Sequence, residues 1–509
     1  MAPAGWIPNL MSKHPPSVTV QTGVAATGDT DDKLLRQGQR PTSDNRSPGS
    51  AGYRLIAMII ASALFMENLD ATVLVTAIPT MARDFHVRAP DMSVAVISYL
   101  LALALFIPAS GHAADRWGSR NVFRVAIAIF TVGSLTCAAA PNLPALAIAR
   151  FGQGIGGAMM VPVGRLVLLR TVSKQDLVAA WSWMLMPGLI GQITGPPIGG
   201  FMVTYLDWRW IFWINLPIGI AGMFLVGRFI PDARESIRRA FDVPGFLLSG
   251  VTLIAILLGL EVAGSANQAQ WAIGLIASGV LLGSLYVRHA ARTAHPIIDL
   301  SLLRVPTFRL ALIGGSLTRI THGAQTFLMP LMMQLAFGLK ASESGLITLA
   351  TAIGTFAMKS FVGRILKRWG FRSSLTTLGI LSACSYAVCG FFRVGWPVSL
   401  IFVVLVTSGF LMSFQFTAYN TIAYDEIERE RMSSATSFYA TGQQLTISLG
   451  VCTGAVMLHV AMTVAGRATP VFLDFSIAFW TVTLISMCSL FANIRFDPQA
   501  GRQMSGGRR

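Results

Sequence analysis

The chain has 509 residues, 53% of them hydrophobic and 12% charged, with a formal net charge of +16 and a mean hydropathy of +0.60. A soluble domain carries about 25% charged residues, so this composition leaves too little polar surface for a water-soluble protein of this size. The Lys and Arg residues sit in short breaks between apolar runs, not along one face or tail, which argues against nucleic acid as a partner.

Residues 1–53 are polar and rich in Pro, Ser, Thr, Gly and Asp, and read as a disordered cytoplasmic tail without a cleaved leader. A crossing helix needs about 20 apolar residues. Fourteen runs qualify: 54–78, 92–113, 121–140, 143–169, 178–205, 209–230, 243–262, 270–290, 308–336, 343–365, 373–393, 396–421, 436–464 and 472–494. The expected fold class is therefore an all-α polytopic membrane protein.

Charge alternates between successive loops. One set holds Arg116, Arg120 and Arg124; Arg165, Arg170 and Lys174; Arg228, Arg234, Arg238 and Arg239; Arg288, Arg292 and Arg304; Arg364, Lys367, Arg368 and Arg372; Arg429 and Arg431; and Arg495, Arg502, Arg508 and Arg509. The other set is poor: Arg83, Arg88, Arg209, Lys340, Arg393 and Arg467, with no Lys or Arg near Asn142 or Asn267. The positive-inside bias puts both termini of a multi-pass cell-membrane protein in the cytoplasm and supports an even number of crossings.

Two loops share a frame. Gly111, Arg116, Trp117, Gly118 and Arg120 recur as Gly363, Arg368, Trp369, Gly370 and Arg372, at a shift of 252 residues. This reads as an internal duplication. The expected plan is a six-helix bundle at 54–230, a linker with two accessory helices at 231–307, a second bundle at 308–494 and a cytoplasmic tail at 495–509. Parallel six-helix halves around a midplane site are one construction of secondary transporters.

The residues quoted above, with several further motifs, resemble the major facilitator superfamily and its fourteen-helix drug:proton antiporter branch. Gly111, Asp115, Arg116, Gly118 and Arg120 are similar to the superfamily's loop motif between helices two and three. Leu69-Asp70-Ala71-Thr72 and Ala77-Ile78-Pro79 resemble the branch's first-helix motif. Arg150, Gln153, Gly154 and Gly156 resemble its fourth-helix motif, and Gly188 through Gly200 its antiporter motif; Trp208 through Phe212 and Asn215-Leu216-Pro217 continue the likeness. The stretch Gly156–Arg165 resembles a bacterial exporter subgroup. The second hinge departs by carrying Lys367 where the first has Asp115, and Val75-Thr76 stand where the branch usually has an Asn. The resemblance implies two six-helix bundles plus two linker helices, no enzymatic activity, no cofactor or metal, and export of small molecules coupled to protons across the lipid membrane. It also implies that Arg150 takes part in proton coupling.

The residues support that chemistry independently. Asp70 lies deep in the first run, where a carboxylate costs about 2.5–3.5 kcal/mol on insertion scales and its proton affinity depends on access to water and nearby charge. Glu67 is about one turn away. Gly191, Gly195 and Gly199 form a stripe, with Pro196, Pro197 and Gly200 beside it, expected to pack a kinked helix against the other half. Gly111 is expected to allow close helix approach, and Asp115, Arg116 and Arg120 to form a charge network. A central substrate cavity is expected to draw on Glu67, Arg319, His322, Gln325, Lys359, Gln415 and Tyr419, polar groups inside apolar runs. Arg319 and Lys359 favour an alternative, export of anionic metabolites or metal chelates. An alternative of another class is a non-transporting membrane sensor or scaffold. Five cysteines without a CxxC pair read as buried small apolar side chains. His86 and Asp91 match an acyltransferase-like spacing in a short loop without further support, and no Walker loop is present.

Overall fold

The computed structural model of the chain describes residues 50–172, 177–231, 241–263, 269–293, 296–428 and 431–501. The expected tail up to residue 49 and the basic residues Lys174, Arg234, Arg238, Arg239, Arg429, Arg502, Arg508 and Arg509 lie outside the described residues, as does Asn267.

Where water is absent, a backbone must satisfy its own polar groups, and the apolar runs do so as helices. In order these are α1 (Ser50–Asp84), α2 (Ser93–Trp117), α3 (Ser119–Ala138), α4 (Leu143–Thr171), α5 (Leu177–Tyr205), α6 (Trp210–Trp213) and α7 (Asn215–Phe229). The accessory pair is α8 (Val243–Ala263) and α9 (Ala269–Ala290). The second half holds α10 (Pro306–Leu331), α11 (Ala341–Met358), α12 (Val362–Cys389), α13 (Val398–Ile422), α14 (Met432–Val464), α15 (Phe472–Met487) and α16 (Ser489–Ile494).

Among the described residues, ten helices are long and apolar enough to cross a membrane, and α11 with α12 forms a further pair bent by 81°. The helices α5 and α10 have 29 and 26 residues, also sufficient length. Gly370, at φ 70°, divides α12 into two helices. With α6–α7 and α15–α16 each forming one continuous segment, every one of the fourteen expected crossings has its helix. The run 343–365 is corrected: the chain breaks at Lys359–Phe361, so that segment is not one straight helix.

The helices of the two halves pack in the same pattern. In the first half α1 packs on α5, α2 on α4 and α3 on α7; in the second half α10 packs on α14, α11 on α13 and α12 on α15. Between halves, α5 meets α11 and α14 meets α2. The accessory helices pack on each other, and α8 leans on α2 and α14, meeting α2 through Phe246 against Phe106 (ring centroids 5.5 Å). Asp242 caps α8, accepting from Gly245 N at 2.9 Å, and meets His289 Nε2 at 2.7 Å. Burial opposes its charge, but the bonds to His289, Gly245 and Ile297 outweigh that and hold the carboxyl below its usual range.

The apolar core is divided unevenly. Near the ends carrying the basic loops, each half has its own cluster: Ile60, Phe123, Phe130 and Val167 in the first, and Phe308, Phe371, Phe414 and Tyr439 in the second. At the opposite ends one cluster runs through both halves, joining Leu74, Ile78 and Phe212 to Phe327, Met332 and Phe475. The apolar cores of the halves are thus joined at one end and separate at the basic end.

The repeated loops explain their own glycines. Gly118 has φ 87° and Gly370 φ 70°, a region that costs an L side chain of order 1–3 kcal/mol. Gly118→Ala is expected to lower stability by about that amount, read as a fall in melting temperature in detergent. A Cβ on Gly111 would meet nothing within 4 Å. Gly111→Ala is expected to cause no loss, and the expectation that Gly111 serves close approach is corrected.

Three cysteines, Cys137, Cys389 and Cys452, are buried as expected, whereas Cys384 and Cys488 are exposed on the helix surface. In the short loop after α1, the Asp91 carboxylate is held by Arg88 at 3.0 Å through two bonds.

Candidate functional site

The first half encloses a buried polar network. Asp70 is 3% exposed and Arg150 1%. Arg150 Nη1 donates to Asp70 Oδ2 at 2.6 Å. Gln153 Nε2 donates to Asp70 Oδ1 at 2.8 Å, and Asn215 Nδ2 donates to the same oxygen at 3.0 Å. Both amides also donate to Ser134 Oγ, at 2.8 and 3.2 Å. The Arg150 guanidinium lies over the Tyr99 ring, 4.4 Å from its centroid. Five crossings, α1 to α4 and α7, thus converge on one carboxylate.

The small residues of α4 make this possible. A Cβ on Gly154 would lie 2.7 Å from Tyr99 O, and one on Gly156 2.5 Å from Phe130 N; likewise, one on Gly133 would lie 2.5 Å from Gln153 Cα. Without side chains there, α2 and α3 close onto α4 and the polar groups reach one another. A permanent cation meets a fully hydrogen-bonded carboxylate, which is what makes a buried pair tolerable. Arg150 is therefore no snorkelling residue. Ser134 and Tyr99 carried no spacing signal in the sequence; Asn215, a polar residue opening an apolar run, was a signal read only as part of a motif.

A second site lies between the halves. A cavity enclosing about 710 Å³ of empty space, open solvent included, is lined by Thr72, Val75 and Thr76 of α1, Gln192 and Pro196 of α5, and residues of α10, α11 and α13. Asp70 and Thr72 are two residues apart and so face different sides of α1: one looks into the bundle, the other into the cavity. Of the residues expected to form the cavity, His322 and Gln325 line it; the others are placed elsewhere. Lys359 is exposed at the break after α11. Gln415 accepts from Thr318 Oγ1 at 2.9 Å, and the Tyr419 hydroxyl donates to Asn493 Oδ1 at 2.5 Å, both inside the second bundle. Arg319 is 1% exposed; it donates to Asn420 Oδ1 at 2.8 Å and stacks on Phe416 at 5.0 Å. Glu67 is half-buried, with Oε2 unpartnered. At the 252-residue offset Glu67 falls on Arg319 and Asp70 on His322, so the acids of the first half are answered by bases in the second.

The expected gating residues divide in two. Gly191 and Gly199 back onto α1, where a Cβ would sit 2.7 Å from Phe65 O and 2.9 Å from Val73 O; Gly195 would collide with Thr72. The stripe therefore binds two helices of the same half, which corrects the expected partner. The joint to the other half lies beside it: a Cβ on Gly200 would collide with Ala341 O, and one on Gly345 with Pro196 O. Around it, Gln334 Nε2 donates to Thr76 O at 3.0 Å and Ser342 N to Thr204 Oγ1 at 3.0 Å. In the basic loop, Asp115 accepts from Arg170 of α4 at 2.8 Å. Arg116 is exposed over Trp117 and Arg120 is half-buried; among the described residues the ion pair made by Asp115 is with Arg170 of α4.

The chain is similar to several known proteins. "Probable transport protein HsrA" of Haemophilus influenzae is 38% identical over 411 residues, covering 81% of this chain and 89% of that protein. MdtD of Salmonella typhi, named as a candidate multidrug resistance protein, is 38% identical over 403 residues, covering 79% and 85%. Among solved structures, a D-xylose–proton symporter matches with TM-score 0.63 at 13% identity, covering 88% of this chain and 98% of that one. A bacterial homologue of the lysosomal transporter Spinster, in an inward-facing and unoccupied conformation, matches with TM-score 0.58 at 13% identity, covering 88% and 97%. The model of the Major Facilitator Superfamily matches residues 60–451 and 311–505, and the chain belongs to that family of membrane transporters.

Proposed function

We propose that the chain is a proton-coupled exporter of small molecules, of the multidrug type, working by alternating access in a bacterial inner membrane. The observation that carries this is the sealed Asp70–Arg150 pair. A proton on Asp70 removes the charge that holds Arg150 and loosens the contact between α1 and α4. Loss of the proton restores it. The positive-inside rule places the basic end and both termini in the cytoplasm, so the state described here is closed outside and open inside. The halves at 54–230 and 308–494 rock about the α5–α11 and α2–α14 joints, with residues 231–307 as the connecting linker. Substrate binds in the cavity beside His322 and Gln325, and the pair exchanges its proton on the opposite face of α1. Lipid surrounds the exposed apolar side chains.

The test is reconstitution into vesicles carrying a trapped pH dye. A compound from a panel of lipophilic cations, neutral amphiphiles and carboxylate chelates is expected to dissipate an imposed pH gradient only when the protein is present. No substrate-dependent proton movement across the panel overturns the reading and favours a sensor or scaffold. A second reading, export of anionic metabolites or metal chelates, draws on Arg319, which has no carboxylate partner among the described residues. The same panel separates the two, since a cation pump responds to the cations and an anion exporter to the chelates.

A further inference from the structure

The sealed pair poses a transport problem of its own. Asp70 is 3% exposed, and its oxygens accept from Arg150, Gln153 and Asn215. Nothing in that arrangement brings a proton from the open basic end to the carboxylate.

Two buried polar atoms stand between. Glu67 lies three residues closer to the basic end of α1, about 4.5 Å along the axis at 1.5 Å per residue. Its Oε2 is buried without a hydrogen-bond partner, and so is the hydroxyl of Tyr99 on α2. Buried polar atoms are nearly always satisfied, and an exception calls for a functional explanation or a bridging water. Tyr99 also spans the gap. Its backbone carbonyl lies beside Gly154, at the level of the pair, while its hydroxyl lies beside Gly157, almost a turn further toward the basic end. Its ring is the surface on which the Arg150 guanidinium rests. The hydroxyl is within electrostatic reach of both Glu67 and Asp70. The charged groups around Glu67 are Asp70 on its own helix, and Arg165 of α4, which is exposed. Arg165 can therefore hold the Glu67 carboxylate toward the open side without sealing it.

We propose that Glu67 and the Tyr99 hydroxyl form a proton relay between the basic-end opening and Asp70, bridged by water. This rests on the reading of Asp70 as the proton carrier. A hydronium ion at the opening gives its proton to a Glu67 carboxylate oxygen and leaves as water. The new Glu67 O–H bond breaks as Tyr99 Oη accepts that proton through the bridging water, and the original Tyr99 hydroxyl proton passes on to Asp70 Oδ2. The tyrosine ends neutral, Glu67 returns to a carboxylate, and Asp70 becomes a carboxylic acid that releases Arg150. No oxidant or second substrate is needed.

The test needs no identified substrate. Time-resolved infrared spectroscopy of the full chain in nanodiscs after a rapid pH drop follows the carboxylic-acid carbonyl band, assigned to Asp70 by its loss in Asp70→Asn. In Glu67→Gln and in Tyr99→Phe the band is expected to rise to its usual amplitude at least tenfold more slowly. Glu67→Asp is expected to restore most of the rate. Tyr99→Phe keeps the ring beneath Arg150, so it separates the hydroxyl from packing if Glu67→Gln does not fold. An Asp70 band that rises at an unchanged rate in both variants overturns the relay while leaving the carrier intact. An Asp70 band absent from the native protein overturns both.

Discussion

Asp70→Asn is expected to abolish gradient-driven export, with a fall of at least a hundredfold in initial rate in everted vesicles, while the protein still reaches the membrane. Asparagine fits the space and can still accept from Gln153 or Asn215, but it carries no charge to exchange. A guanidinium keeps its proton in proteins, so Arg150 stays a buried cation. Removing one partner of a buried pair costs about 3–5 kcal/mol. The Tyr99 ring face, 4.4 Å away, offsets up to about 2 kcal/mol of that when desolvated, and Gln153 Oε1 accepts from the same nitrogen at 2.7 Å. The fold is therefore weakened but supported, and the loss falls on coupling. Undiminished efflux against the gradient in this variant would rule Asp70 out as carrier.

Gly345→Val is expected to break the seal at the fused end. The Cβ of any residue there collides with Pro196 O, and this obstacle is backbone, which cannot turn aside. Overpacking of this kind costs about 1–3 kcal/mol, a roughly fivefold to hundredfold shift in population at 1.4 kcal/mol per factor of ten. In the proposed cycle the contact belongs to the closed-outside state alone, so the shift runs toward the opposite state. In a background with the native cysteines replaced, a cysteine placed at Thr348 in the cavity wall should react at least fivefold faster with a membrane-impermeant maleimide added outside. The Gly363→Val change, where a Cβ meets nothing within 4 Å, should leave labelling as it was. Equal labelling in the Gly345 variant would mean that α5 and α11 do not form the outer gate.

The helices were legible because lipid enforces them: long apolar runs and alternating loop charge leave one solution, and the fourteen crossings follow. The repeat was legible because Gly118 and Gly370 need the same positive φ. Asp70 and Arg150 stood out as charges in apolar runs, but their direct contact, 80 residues apart in the chain, depends on helix rotation. Rotation is set by many small contacts that no single spacing encodes. The same gap explains the misplaced cavity residues. Gln415 and Tyr419 are polar and deep, yet they turn inward to Thr318 and Asn493, and Lys359 falls at a break that hydropathy does not mark. The glycine stripe announced close packing without naming its partner, and α1 and α11 compete for adjacent faces of α5.

The accessory hairpin has a directional consequence. Two related seams join the halves, and α8 leans on the one between α2 and α14. No described helix covers the other, between α5 and α11, in the same way. An oily solute dissolved in the bilayer therefore meets a shuttered flank on one side of the molecule and a bare one on the other. The protein is thus lopsided in the plane of the membrane, although its two sets of helices repeat one packing pattern.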